Sequence, residues 1–317
     1  MSARSFELEL GMPHLGRNNL SESTLFKEIG HHRWKTIEQL ARAPSAEWRD
    51  GNGARIYATF YFVEIRCPRH RPLSAYGENH VLKFETDLAH FGKTQLDGEY
   101  HLDGNAMSLR ACNVFVVQED GPSRLRITPP HNLDYSQIRG LAAQPDARSM
   151  CRRARDSGAF FEPESDDVAL FDGRRSFRYQ LDADRDLNGA GLVYFANFIT
   201  FLDLAERRIL AEAGIPEEIL DQRATYRRMI GYYGNARSSD SLAIELAARA
   251  RVVQDQLGAS LLDLGLDYRI ERESDARLIV VSSARKVAAI APGSPIETAL
   301  SELLRRRKFA GGSTTGL

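Results

Sequence analysis

A chain of 317 residues exceeds one average domain and leaves room for two. Its 43% hydrophobic and 27% charged content is that of a folded globular protein, which excludes the disordered and fibrous classes. A formal net charge of -1 argues against a broad nucleic-acid surface, and three scattered cysteines, Cys67, Cys112 and Cys151, suit neither a disulfide framework nor a metal cluster.

The N-terminus, MSARSFELELGMPHLG, lacks the apolar run of a secretory signal. No later stretch reads as long enough to span a bilayer, so the expectation is a cytoplasmic protein without membrane contact. Residues Phe6 to Leu10 alternate as a strand. A polar, glycine-bearing segment follows, and Thr24 to Ala41 carries Leu25, Phe26, Ile29, Trp34, Ile37 and Leu40 near helical spacing. Ser21 or Ser23 is placed to cap this helix, and Gly30 in its middle either permits a close approach or is merely tolerated. Ala54 to Arg66 is aromatic and β-branched, as a strand requires. Asn79 to Leu88 reads as the next strand, followed by a turn near His90 to Gly92. A short strand holding Tyr100 and Leu102 and a longer one from Ala106 to Gln118 complete the set.

The order then repeats. Ser176 to Ala183 reads as a strand and Phe198 to Ala213 as a helix, with Phe198, Phe201, Leu202, Ala205 and Ile209 on one side. Strands follow at Thr225 to Tyr233, Ser241 to Gln254, Leu262 to Arg272 and Arg277 to Ala289. Two runs of one strand, one helix and four strands imply an internal duplication by pattern. Each helix is too apolar for water and each sheet has one apolar face, so each curved antiparallel sheet should wrap its own helix. Pairing the two units edge to edge protects their edges and makes one continuous sheet. The expected class is therefore α+β, with units at 1–120 and 173–317 and a linker at 121–172 that is rich in Pro, Arg and Asp. A linker this long calls for a role such as lining a cleft. The terminal RRRKFAGGSTTGL reads as a frayed tail.

The stretch GLVYFANFITFLDLAERR, Gly191 to Arg208, resembles the opening of the hotdog fold in acyl-thioester enzymes. With PHLGRNNLSESTLFKEIGHHRW near the start and IYATFYFVE after the first helix, the chain resembles the bifunctional acyltransferase/decarboxylase family of leinamycin-type polyketide biosynthesis. That resemblance implies a double hotdog. It implies an enzyme that takes an acyl-CoA, methylmalonyl-CoA or malonyl-CoA, loads the acyl group onto its own tyrosine, decarboxylates it and passes the product to an acyl carrier protein. The coenzyme A thioester is then a substrate, and no tightly bound cofactor or metal is implied. The alternative is a hotdog thioesterase or dehydratase, and a carrier-docking scaffold without activity is a third reading. The fused unit either mimics a dimer already or forms a homodimer.

The resemblance assigns the acyl-carrying residue to Tyr57, with Tyr61 on the same strand face in reserve. The competing reading of either is an aromatic that only packs. All eight histidines lie between His14 and His131, so the halves have diverged. His14 stands either as a donor to a thioester oxyanion or as a loop histidine. Asn18 and Asn19 stand likewise, as donors to substrate or as turn residues. Backbone N–H groups at the helix start, beside Ser21 and Ser23, are placed to face an enolate oxygen, with simple capping as the alternative. His31 and His32 fall inside the helix without a HExxH or Cys/His partner set, a poor metal pattern. Asp186, Asn188, Tyr194 and Asn197 occupy the corresponding region of the second half, where Asn197 either binds substrate or orients the loop. Arg66 and Arg69, with Arg71 and His70, and a second cluster of Arg152, Arg153 and Arg155 suit phosphates or an acidic carrier protein, or are solvated surface.

Overall fold

The computed structural model describes residues 4–102, 104–119, 124–255 and 258–311. Strand β1 (Arg4–Glu9) leads through the two-residue strands β2 (Leu15–Gly16) and β3 (Asn19–Leu20) into helix α1 (Glu22–Ala41). Four strands follow, β4 (Ile56–Arg66), β5 (Val81–Phe91), β6 (Gln95–Leu102) and β7 (Met107–Gln118). The connecting region holds β8 (Leu125–Ile127), β9 (Arg139–Gly140), α2 (Ala147–Ser157) and β10 (Val168–Ala169). The pattern then recurs as β11 (Arg175–Gln180), a single turn α3 (Ala183–Asp186), α4 (Asn197–Glu212) and a short α5 (Glu217–Gln222). Strands β12 (Ala224–Tyr232), β13 (Ser241–Gln254), β14 (Ser260–Arg272) and β15 (Arg277–Ala289) and helix α6 (Pro295–Gly311) complete the chain.

The long strands form one sheet in the order β1-β5-β6-β7-β4-β12-β15-β14-β13-β10, with β11 also paired to β13. The fold is α+β, two repeated units joined in one sheet, as the repeated pattern required. The halves meet at β4 and β12, which pair antiparallel only from Phe62 to Arg66 against Arg227 to Gly231. Helices α1 and α4 share the main apolar core. Leu25, Phe26 and Ile29 of the first and Phe198, Phe201, Leu202 and Ala205 of the second are almost fully buried there. At about 25 cal/mol per Å² of apolar surface removed from water, this face is the main stabilising term.

Local details correct several expectations. Ser21 caps α1 by accepting from the Thr24 amide, while Ser23 lies within the helix. Gly30 is required by tertiary contact, because a Cβ there would stand 2.5 Å from Tyr194 Oη and 2.7 Å from Phe195 Cε1 of the second half. Strand β5 runs through His90, so the turn begins one residue after Phe91. The expected frayed tail is helical through residue 311, because Leu300 and Leu304, four residues apart, are buried against the core. Residues 312–317 lie outside the described part. No helix among the described residues is long and apolar enough to cross a membrane.

Each central strand carries a bulge where its partner pairing ends. In β4 the register against β7 shifts between Phe60 and Phe62, leaving Tyr61 as the extra residue. In β12 the register against β15 shifts between Thr225 and Arg227, leaving Tyr226. A bulge changes the phase of alternation. Before it, Ile56, Ala58 and Phe60 face inward; after it, Val63 and Ile65 do. Tyr57, Thr59 and Tyr61 thereby share the other face, as the period of two predicted, and Phe62 follows Tyr61 onto it.

Candidate active site

A cavity of about 400 Å³ opens where β4 and β12 part. Tyr57, Thr59 and Tyr61 form one wall, on the stretch of β4 that precedes its pairing with β12. Tyr232 and Tyr233, just past the paired part of β12, form the facing wall with Asn235. The segment before α4 supplies Asn188, Tyr194 and Phe195, and Phe198 follows from the first turn of the helix. Helix α2 crosses this opening on the opposite side of the sheet from α1 and α4. Its Ala147 and Cys151 pack on Phe62, Cys112 and Met229. Tyr233 Oη donates to the Cys151 carbonyl oxygen at 2.6 Å, which ties the helix to β12. Arg148, Arg152 and Arg155 line the cavity from α2. The long linker therefore does line a cleft.

The two tyrosines of β4 differ in setting. Tyr57 is half-buried, and the Arg55 guanidinium lies 5.0 Å from its ring centroid. The Tyr61 hydroxyl is buried with no hydrogen-bond partner. Burial, with Cys112 and Asp97 nearby, pushes its phenol far above the ordinary range, against the opposing pull of Arg148. Burial likewise pushes Tyr194 up to about 12, with Glu28 adding to the shift. The Cys151 thiol is also raised to about 12, chiefly by burial. Among the described residues that line the cavity, none is an aspartate, glutamate or histidine.

The loop before α4 is held from beneath. Asp186 is 2% exposed and accepts from Tyr179 Oη at 3.0 Å and from the Asp182 amide at 2.9 Å. Asn197 donates to the Asp186 carbonyl oxygen at 3.0 Å, so it orients the loop and is not among the cavity-lining residues. Asn188 accepts from the Ala190 and Leu192 amides through Oδ1. At the start of α4, Ala196 provides no side-chain cap.

The expected meeting of the His14 loop with the aromatic strand does not occur. His14 accepts from the Gly11 amide and does not line the cavity, nor do Asn18, Asn19, Ser21 or Ser23. That loop instead faces the start of β12. Asn18 donates to the Gln222 carbonyl oxygen, Asn19 donates to that of Ser74, and Arg17 pairs with Asp221. The site corresponding to the cavity at this end is filled by charge. Glu22, the first residue of α1, pairs with buried Arg228 at 2.6 Å and accepts from Thr225. Arg66 pairs with Glu64, and Arg69 pairs with Asp263 at 3.2 Å beside the Tyr226 ring, so neither arginine reaches the cavity. His31 and His32 make an edge contact, and His32 stacks on Phe6. No group of three potential metal ligands occurs among the described residues.

Residue reading missed Arg148 and the wall of Tyr232, Tyr233 and Asn235. The only sequence signal for the latter was the polar-aromatic ending YYGN of an otherwise regular strand.

No family model matches the chain, and no curated protein matches it. Solved structures do. A putative oleoyl thioesterase from Lactobacillus plantarum superposes with a TM-score of 0.60 at 11% identity, covering 92% of this chain and 98% of that one. An acyl-ACP thioesterase from Bacteroides thetaiotaomicron gives 0.51 at 10% identity, over 89% and 97%. At such identities the likeness is one of fold, and it extends over nearly the whole of each chain. The protein is thus of the double-hotdog class.

Proposed function

We propose that this protein is an enzyme of acyl thioesters, and that it loads a malonyl-type group, methylmalonyl in the first instance, from coenzyme A onto Tyr57. In this reaction the phenolic oxygen attacks the thioester carbonyl, a C–O ester bond forms, the C–S bond breaks, and the thiol leaves with the phenol proton. The C–C bond to the free carboxylate then breaks. Carbon dioxide departs, and the electron pair passes into an enolate that is protonated on carbon. The thiol of an acyl carrier protein attacks the resulting aryl ester, takes the acyl group and returns the phenol.

The composition of the cavity wall carries this reading. Water and a phenol both need activation before they attack a thioester, and the described lining residues include no carboxylate or imidazole for either, so the reading rests on the nucleophile that the wall itself carries. Transfer to a phenol followed by decarboxylation needs a nucleophile, cations and donors aimed at an enolate oxygen. Tyr57 is a half-buried phenol in this wall, and Arg55 places positive charge beside its ring. The N-terminus of α4 has no side-chain cap and Phe198 from its first turn lines the cavity, so the helix dipole favours a developing oxyanion there, although the Asn197 and Ile199 amides already donate to the Tyr194 and Ala196 carbonyl oxygens. Tyr61 suits a wall residue better than a nucleophile, because its oxygen is buried and its phenol is shifted upward.

Hydrolysis of an acyl thioester is the second reading, favoured by the fold shared with two proteins described as thioesterases. Brief incubation with methylmalonyl-CoA followed by intact mass spectrometry separates the two. Carbon dioxide release and a covalent acyl adduct, absent in Tyr57→Phe, support transfer with decarboxylation. Free acid without carbon dioxide or adduct supports hydrolysis. An adduct that persists in Tyr57→Phe and maps to Tyr61 reassigns the nucleophile.

A further inference from the structure

Most arginines near the sheet are matched to carboxylates, among them Arg110 with Asp97, Arg251 with Asp263 and Arg285 with Asp167. The cavity arginines of α2 are different. Arg148, Arg152 and Arg155 are spaced at i, i+4 and i+7, which places them in one stripe along the helix. None of them is within ion-pair distance of a carboxylate among the described residues. Arg148 is half-buried and is held by Gln95 Oε1 at 3.3 Å and by the Tyr61 ring at 5.5 Å. Arg155 lies 4.8 Å from the Tyr233 ring centroid. Arg152 and Arg155 are exposed at the cavity rim, and Arg153 points away from the lining. Small residues fix the adjoining face of the helix, where Ala147, Cys151 and Ala154 are buried. The helix thus presents positive charge to the cavity from a backbone pinned across β4 and β12, with aromatic rings limiting the freedom of two guanidinium groups.

We infer that Arg152 and Arg155 form a phosphate-binding rim for the phosphopantetheine arm of the substrate, with Arg148 extending the stripe inward. This deepens the thioester reading and rests on it. Arginine forks suit phosphate oxygens. A long pantetheine arm requires its phosphate to lie at the rim while the thioester reaches Tyr57 inside. The same chemistry comes from two sources, the diphosphate of coenzyme A and the phosphodiester that links the arm to a carrier protein.

Calorimetric titration with coenzyme A, 4′-phosphopantetheine and pantetheine tests the inference without requiring turnover. The two phosphorylated probes are expected to bind at least about tenfold more tightly than pantetheine, a difference that shrinks with added salt. In Arg152→Ala/Arg155→Ala that difference disappears, while pantetheine binding and the circular dichroism spectrum are retained. Loss for both phosphorylated probes identifies the phosphate that they share; loss confined to coenzyme A identifies the coenzyme as the source. Equal binding of all three probes to the unaltered protein, or an unchanged preference in the double variant, overturns the inference. Failure of the Tyr57 chemistry has a different signature, phosphate-dependent binding without carbon dioxide release.

Discussion

The pair that closes the first-half site also joins the two halves, which makes its removal informative. Glu22 stands at the start of α1, and Arg228 lies in β12 with a fully buried side chain. In Arg228→Met the carboxylate keeps Thr225 as a hydrogen-bond partner and loses its counter-charge. Breaking a buried pair from one side costs about 3–5 kcal/mol. In Glu22→Met the guanidinium retains Asp203 at 3.5 Å and Ser282 at 3.4 Å, and the Asp203 side chain is 41% exposed. That loss is expected at or below about 3 kcal/mol, because one carboxylate remains. The double variant Glu22→Met/Arg228→Met leaves neither charge stranded and should lose less than the sum of the two single changes by about 2 kcal/mol or more. Urea unfolding followed by tryptophan fluorescence measures all three. If the double loss equals the sum of the single losses, the two charges do not act as a pair and the account of the closed site fails.

Gly30→Ala should destabilise the fold despite better helix propensity. The gain of about 1 kcal/mol is opposed by overpacking of about 1–3 kcal/mol against Tyr194 and Phe195, and a raised KM for thioester should accompany a lower urea midpoint. The thiols should be inert in the folded protein, since burial raises Cys67 and Cys151 to about 12 and Cys112 well above its ordinary value. A colorimetric disulfide reagent at pH 8 should react with them only after unfolding, and rapid reaction of the native protein would contradict their burial. Glu206 makes stability depend on acid. Burial alone would raise its carboxyl, but Lys286, Arg223 and Tyr268 hold it well below the usual carboxylate range. Its contribution is therefore complete above the ordinary carboxylate pKa of about 4.3 and fades as pH falls below it. A urea midpoint that declines from pH 5 to pH 3, and declines less in Glu206→Leu, checks the sign.

The duplicated strand and helix pattern was legible because burial imposes local periods. Alternation in Ser241 to Gln254 and the apolar side of Phe198 to Ala213 reflect faces that each element must bury, whatever its partners. The terminal helix is not legible in the basic run RRRKF, because Leu300 and Leu304 stabilise it only through a core that distant elements build. The glycine question at position 30 had the same character, since the answer belongs to rings of another segment more than 160 residues away.

By itself the sequence determined the elements, their repetition and the placing of Tyr57 and Tyr61 on one strand face. Tertiary structure decided which loop those tyrosines meet. Strands β4 and β12 run antiparallel and pair only over the last part of β4, Phe62 to Arg66, so the early part of β4 lies beside the far end of β12 and the segment before α4. The His14 loop falls at the other end of the same junction, where Glu22 and Arg228 occupy the space. Register between distant strands comes from the packing of both halves together, and no local period in the chain encodes it.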